Sequence, residues 1–515
     1  MSSVQILDHT GRPITAQDTA HYAASRTARD MRAWNPSLNS ADADLLFELD
    51  TLKARARDLS RNNGVAHGAL HTIRDNVVGT GLRLSARPDY RMLGWTKEQA
   101  DEWARTVESA WLLYADSTDI DAARRQTFAG LTGQVFMSTL DNGEYLALPL
   151  WLPGSGRQYA TAIQLVDTDR LSNPAGRMDS ATLRGGVEIN SYGEPVRYWI
   201  RKVHPTDWNL RLGAEDGWVG VNARTRFGRR KVLHGVDAER VGQTRGKPLL
   251  TSVMAEFKML GHYQRTELQA AIVNAMIAAF VESSASAEQL SDLFGGNIDR
   301  YVQDRNEWHV QLQGGAIIPL HPGDRISAFT PSRPATAFGS FVEASLRNIA
   351  AGLNLPYELL LKDFSKTNYS SARAALLEAW RFFMVRRQWL ATYWAQPVYE
   401  LWLEEAIGRG LVEAPGWDDP RMRAAYLRTR WIGPGRGWVD PVKEAQAAKL
   451  RMETGISTLE DECAEQGRDW EEVLEQRARE KARAGELGVG GADTTALMQV
   501  VPPTDEPAEQ DEQGA

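Results

Sequence analysis

After Ser370, more than twenty residues pass with neither glycine nor proline, and they carry an unusual density of aromatic side chains. Trp380, Phe382, Phe383, Trp389, Tyr393, Trp394 and Trp402 recur at spacings that predict one long helix over about 371–408. They do not keep to one face. A helix apolar most of the way round has to be covered on several sides, either by the core of its own large subunit or by neighbouring subunits. Pro397 is expected to kink or interrupt it near its far end. Directly before it lies the polar stretch "KDFSKTNYSS", with Asn368 or Ser370 placed to cap the helix. Arg373 then falls in the first turn, where the helix dipole disfavours a cation. An ion pair with Glu358 or Glu378 would offset this; so would a passing polyanion.

A chain of 515 residues is expected to hold about two to four domains. Seventeen tryptophans favour large packed surfaces. The single cysteine, Cys463, excludes an intramolecular disulfide and suits a reducing compartment. The N-terminal residues lack the basic-then-apolar pattern of a signal peptide. The longest apolar run, "AAIVNAMIAAFV" at 270–281, falls short of the ~20 residues a membrane span needs. A formal net charge of −8 argues against tight wrapping of nucleic acid, though not against letting it pass.

The N-terminal half has an α+β pattern and the C-terminal half is mainly helical. Helix is expected over 43–78, then a strand at "LRLSA". Thr96 and Gln99 form a capping-box pattern ahead of Trp103, Val107, Trp111 and Tyr114. "GQVFMSTL", "EYLALPL", "TAIQLVD" and "VRYWIRKV" are expected as short β-rich stretches within 126–235. Helices follow at 248–281 and 336–353, flanking a mixed segment with strands at "WHVQL" and "GAIIPL" and a turn at "HPGD". "RTRWIGPGRGWVDP" suggests a strand and turn, and helices at 441–454 and 458–484 close the ordered part. The lysine- and arginine-free tail beyond is expected to be disordered.

Three short motifs could suggest chemistry. "GQTRGKP" at 242–248 lies before a helix like a phosphate loop. It is one residue short between its glycines, and Pro248 replaces the hydroxyl residue that would meet magnesium. His67 and His71 have zinc-helix spacing without the glutamate of that motif, and pair more naturally on a helix face. Asp167 and Asp169 in "VDTDR" could offer two carboxylates to a metal, yet such a pair more often makes a turn and ion pairs. Cys463 sits among acidic residues that would raise its thiol pKa. No motif makes an active site, and neither cofactor nor metal is expected.

Longer stretches resemble the lambda-type family of tailed-bacteriophage portal proteins. They include "ARDLSRNNGVAHGALHTIRDNVVGTGLRL" (56–84), "GQVFM" (133–137), "IQLVDTDRL" (163–171), "RVGQTRGKPLLTSVM" (240–254) and "RNIAAGLNLPYELLLKDFSKTNYSSARAALLEAWR" (347–381). "GWVDPVKEAQA" (437–447) and "GISTLEDECAEQGRDWEEVLEQRARE" (455–480) continue it, so the likeness spans about 20–485. It implies a non-enzymatic protein that forms a ring of about twelve copies at one capsid vertex in the virion, assembled in the host cytoplasm. Double-stranded DNA would pass through it during packaging and ejection, driven by a separate terminase. The expected partners are further copies of itself, DNA held non-specifically, the terminase large subunit, head-completion proteins, and major capsid and scaffold proteins, with no membrane.

The same resemblance implies an N-terminal arm at 1–20 and a wing at 21–246. Stem helices at 247–281 and 334–353 would flank a clip at 282–333. A tunnel loop would occupy 354–370, a long helix with a return strand 371–439, crown helices 440–484 and an acidic tail 485–515. Lys362, Asp363, Lys366, Asn368, Tyr369 and Arg373 then become candidates to face DNA, and Trp380, Phe383, Trp389 and Trp394 candidates for a subunit interface. A non-portal virion adaptor is the alternative, with a metal- or nucleotide-dependent DNA-processing enzyme behind it.

Overall fold

The computed structural model describes residues 22–25, 28–154, 156–207, 217–275, 279–283, 324–328, 338–437 and 440–487. The N-terminal arm, the expected strands "WHVQL" and "GAIIPL", the turn "HPGD" apart from Asp324, and the acidic tail lie outside them. The fold is α+β.

The first expected helix opens with a short piece at Ala41–Leu45 and then runs as two: α1 (Leu49–Asn62) and α2 (Gly64–Val77). Asn63 divides them because its side chain accepts from the amides of Val65 and Ala66, capping a new helix at once. Strand β1 (Arg83–Ala86) follows, and α3 (Lys97–Ala115) starts from the Thr96–Gln99 capping box, which forms as expected. Trp103, Val107, Trp111 and Tyr114 are all buried along one face of α3.

"GQVFMSTL" is not a strand. It lies within α4 (Phe128–Asn142), whose Phe128, Leu131, Val135, Phe136 and Leu140 bury a helical stripe. The Thr127 side chain caps one end and left-handed Gly143 ends the other. Helical spacing and two caps outweigh the local β-branched content. The other three stretches are strands: β2 (Glu144–Trp151), β3 (Thr161–Val166) and, further on, Pro195–Arg201. β2 is the centre of an antiparallel three-stranded sheet, with Leu146 opposite both Val166 of β3 and His234 of Leu233–Val236. A second antiparallel sheet of four strands lies within residues 183–222. The aromatic core sits between α3, α4 and the C-terminal aromatic helix.

The helix expected over 248–281 is shorter. A 3-10 turn at Leu249–Val253 leads into α5 (Met254–Ala275), and Ala279–Ser283 is a strand paired antiparallel to Asp324–Ala328. β-branched and aromatic residues with a partner strand take the end of the apolar run out of the helix. Helix α6 (Phe338–Gly352) agrees with expectation and meets α5 through Tyr263, whose ring lies 5.5 and 5.1 Å from those of Phe338 and Phe341.

After a short helix α7 (Tyr357–Leu361), the aromatic helix runs as α8 (Tyr369–Leu390), a π turn (Ala391–Ala395) and α9 (Gln396–Gly408). The interruption precedes Pro397, as its missing N–H requires. The carbonyl four residues back, Tyr393, instead accepts from the Tyr145 hydroxyl of β2. Strand β4 (Thr429–Ile432) pairs with β1. Three helices end the described chain: α10 (Pro441–Glu453), α11 (Leu459–Glu465) and α12 (Trp470–Glu486). The single helix expected at 458–484 is broken at residues 466–469, where Gly467 turns left-handed and Asp469 caps α12.

Candidate functional site

The candidate loop starts at α7, which packs on α2. Lys362 ends α7 in the left-handed conformation at φ 57°, which tips the following residues away from the helix axis. The Asp363 carboxylate accepts from the Ser365 hydroxyl (2.6 Å) and amide (3.0 Å), and these bonds hold its pKa below the ordinary value. The Thr367 hydroxyl donates to Glu358 at 3.3 Å. Asn368 is the N-cap, its side chain accepting from Ser371 N at 2.8 Å. The loop is thus a self-bonded turn with its cations outward.

Lys362, Asp363, Lys366, Asn368 and Arg373 are exposed. Lys366 pairs with Glu343 of α6 at 3.2 Å, and Glu343 also holds Arg347 at 2.9 Å. Among the described residues no ion pair joins Arg373 to Glu358 or Glu378; Glu378 pairs with Arg381 instead. Tyr369 begins α8.

The four aromatic candidates separate. Trp394 is fully buried, its indole donating to Thr132 Oγ1 at 2.9 Å, and Phe383 is 2 % exposed. Trp394 is covered within its own chain by Phe128 of α4 and Tyr145 of β2, and α8, which carries Phe383, packs on α2 and α7. Trp380 and Trp389 are half-buried. The apolar surface that α8 leaves open is Leu377, Met384 and Val385, the last 69 % exposed; α5 leaves Met259, Leu268 and Ile272.

The three short motifs are occupied by structure. Gly246 N, which a phosphate loop would turn to its ligand, donates to Glu144 Oε2 at 3.0 Å, and Lys247 pairs with Glu239. His67 and His71 lie ring against ring at 4.1 Å, with His67 Nδ1 2.9 Å from the Ser60 carbonyl. Asp167 caps the turn at 168–170, and Arg57 spans both oxygens of Asp169 at 2.6 and 2.9 Å. His204 Nε2 approaches Asp169 at 3.4 Å, so Asp167, Asp169 and His204 converge, but around a guanidinium.

Sequence reasoning missed the cluster beneath these motifs. Glu144 is fully buried and takes Lys53 at 2.8 Å, the Arg245 guanidinium at 2.5–3.0 Å and His234 Nε2 at 3.1 Å. Burial alone would raise its pKa; Arg245 and Lys53 outweigh that and hold it well below the ordinary range. Burial lowers the pKa of both His234 and Lys53. Arg245 also donates to the carbonyls of Leu171, Gly185 and Thr168. The cluster ties α1, β2 and the turn at 168–170 to the segment that enters α5. The available signal was a glutamate opening the otherwise apolar strand "EYLALPL".

A family description for phage portal protein, lambda family, matches residues 27–387, which sets the class as a portal subunit. Portal protein B of Escherichia phage lambda is 35 % identical over 477 residues, covering 89 % of each chain. The portal protein of Escherichia phage N15 is 36 % identical over 476 residues with the same coverage. The chain belongs to the lambda family of phage portal proteins. Among solved structures, a chain in the neck of a native gene transfer agent particle, computed with C12 symmetry, aligns at 13 % identity and TM-score 0.40, over 78 % of this chain and 90 % of that one. An HK97-family portal protein from Corynebacterium diphtheriae aligns at 12 % identity and TM-score 0.31, over 74 % and 94 %.

Proposed function

We propose that about twelve copies of this chain close into a ring at a capsid vertex of the virion, and that double-stranded DNA passes through its centre. Family membership over most of the chain carries this reading. The open apolar faces of α5 and α8 support it, since exposed aliphatic surface on long helices calls for cover. In this reading residues 21–246 form the wing, α5 and α6 the stem, 282–333 the clip, 354–370 the tunnel loop and 440–484 the crown. The clip would meet the terminase large subunit and later the head-completion proteins, and the outer wing the major capsid and scaffold proteins, with assembly in the host cytoplasm.

Lys362, Lys366 and Arg373, with Asp363, Asn368 and Tyr369 shaping the turn, would give transient contacts to the DNA backbone. A channel has to guide without holding, and each neutralised phosphate strengthens binding steeply. One loop carboxylate and the Glu343–Lys366 pair temper the cations. Trp380 and Trp389 would lie beside the subunit contact rather than at its centre.

Light scattering with negative-stain microscopy of the purified chain tests the ring. A holed particle of roughly 700 kDa, about twelve times 57.3 kDa, supports it; a monomer at every concentration and with scaffold present counts against it. The loop is tested separately. In Lys362→Ala/Lys366→Ala rings, DNA packaged per particle is expected to fall, and unchanged packaging and retention would remove both lysines from the mechanism.

A further inference from the structure

Helices α10, α11 and α12 contain no buried residue. Charge joins them to the rest of the chain, and its sign runs one way. On the body stand Arg83 of β1, Arg87 just after it, Arg105 of α3 and Arg430 of β4. On the C-terminal helices stand Glu460, Asp461, Glu471 and Glu472. Arg83 meets Glu472 through two bonds of 2.9 and 3.1 Å. Arg105 lies 3.6 Å from Glu471, Arg430 lies 3.0 Å from Asp461, and Arg87 pairs with Glu460.

The C-terminal helices have their own internal tie. Arg451 of α10 binds both oxygens of Glu462 on α11 at 2.8 and 2.6 Å. A different contact lies where the chain leaves β4. Backbone there packs on the break between α11 and α12, so closely that a Cβ on Gly435 would stand 2.7 Å from the Gln466 carbonyl carbon. One on Gly467 would stand 2.8 Å from Gly435 N. Two glycines in contact, one just before the unit and one at its middle, let the two backbones approach where side chains would hold them apart.

We propose that residues 441–486 form a lid, latched to the body by four arginines paired with its carboxylates and pivoting on the Gly435–Gly467 contact, which opens when the pairs are screened. The pairs are partly exposed, so counter-ions reach them, and screening acts within about 8–10 Å at ordinary salt. The apolar residues that oppose release, Leu459, Trp470 and Val473 among them, are only half-buried. An opened lid loses order, because α11 has seven residues and a helix that short does not persist alone.

Hydrogen exchange of the purified full chain at about 50 mM and about 500 mM potassium chloride tests this. Amides of 459–486 are expected to exchange roughly fivefold to tenfold faster at high salt, while those of β2 and β3 stay unchanged. Arg83→Glu should reproduce the fast exchange at low salt, and Arg83→Glu with Glu472→Arg should restore protection. The latch is overturned if exchange over 459–486 ignores both salt and Arg83→Glu. It is equally overturned if β2 and β3 loosen to the same extent, which would mean general destabilisation. Failure of the reversed pair to restore protection would also count against it.

Discussion

Two groups of arginine–carboxylate contacts hold this chain together, and burial makes them opposite in kind. Around Glu144, three cationic or imidazole partners converge in a site with no exposure, at the junction of the sheet with the segment entering α5. Around α11 and α12, arginines meet carboxylates at similar distances with side chains from a third to over half exposed. Inside, every polar atom removed leaves a charge that water cannot reach; outside, water and salt replace the partner. The inner set fixes a junction, and the outer set holds a unit that can leave.

Glu144→Ala tests the contrast most severely. It strands Lys53 and Arg245 together in the interior, and unfolding in urea should show a loss of about 3–5 kcal/mol. A loss below about 1 kcal/mol would place the cluster with the surface pairs. Gly143→Ala should come next. Gly143 has φ 79°, and a Cβ there would stand 2.1 Å from Lys247 N, so the Arg245–Lys247 segment must shift off Glu144. Backbone strain alone costs about 1–3 kcal/mol, read in the same denaturation.

Acidity separates the two groups further. Glu108 of α3 faces the lid from the body and accepts from Ala86 N at 2.5 Å. Burial first, then Asp469, Glu471 and Glu472 of the lid, push its pKa up to about 7. Arg83 and Arg105 line the same cleft, as do Asp116 and Glu475, and the Tyr399 hydroxyl feels the charge from α9. The part of that rise owed to the lid carboxylates exists only in the docked state, which therefore binds the Glu108 proton more tightly. That contribution is lost as pH rises through about 7. Asp461, held low by Thr458 and Arg430, works the other way: its contribution is present above 3.8 and disappears as pH falls further. Protection of 459–486, corrected for intrinsic exchange, should decline between about pH 5 and 8, and Glu108→Gln should flatten that decline. The smallest effect belongs to Arg83→Ala. It should cost about 0–1 kcal/mol of global stability while still loosening the lid.

Elements with strong local signals were legible from residue order. The aromatic helix, its break before Pro397, the capping box at Thr96 and the second stem-like helix all follow from periodicity, a missing N–H or a cap, which are properties of neighbouring residues. The candidate loop was legible in part: its polar residues and the Asn368 N-cap were, but the helix Tyr357–Leu361 inside the expected loop at 354–370 was not. "GQVFMSTL" was misjudged because its residues satisfy both periods, and the caps at Thr127 and Gly143 decide only when the whole helix is considered. The break at 466–469 was missed although its signals, Gly467 and the Asp469 N-cap, are local; the contact with Gly435 adds to them from elsewhere in the chain.

The family, the order of helices and the exposed loop were therefore set by residues acting on near neighbours and by long colinear likeness. Tertiary structure alone decided what covers Trp394, which ion pairs are buried and where the lid can turn. Burial is a property of what lies across the fold, so Arg83 and Arg245 look alike as letters. They differ because Arg83 meets its carboxylate at the surface, while Arg245 meets Glu144 in the interior where water is excluded.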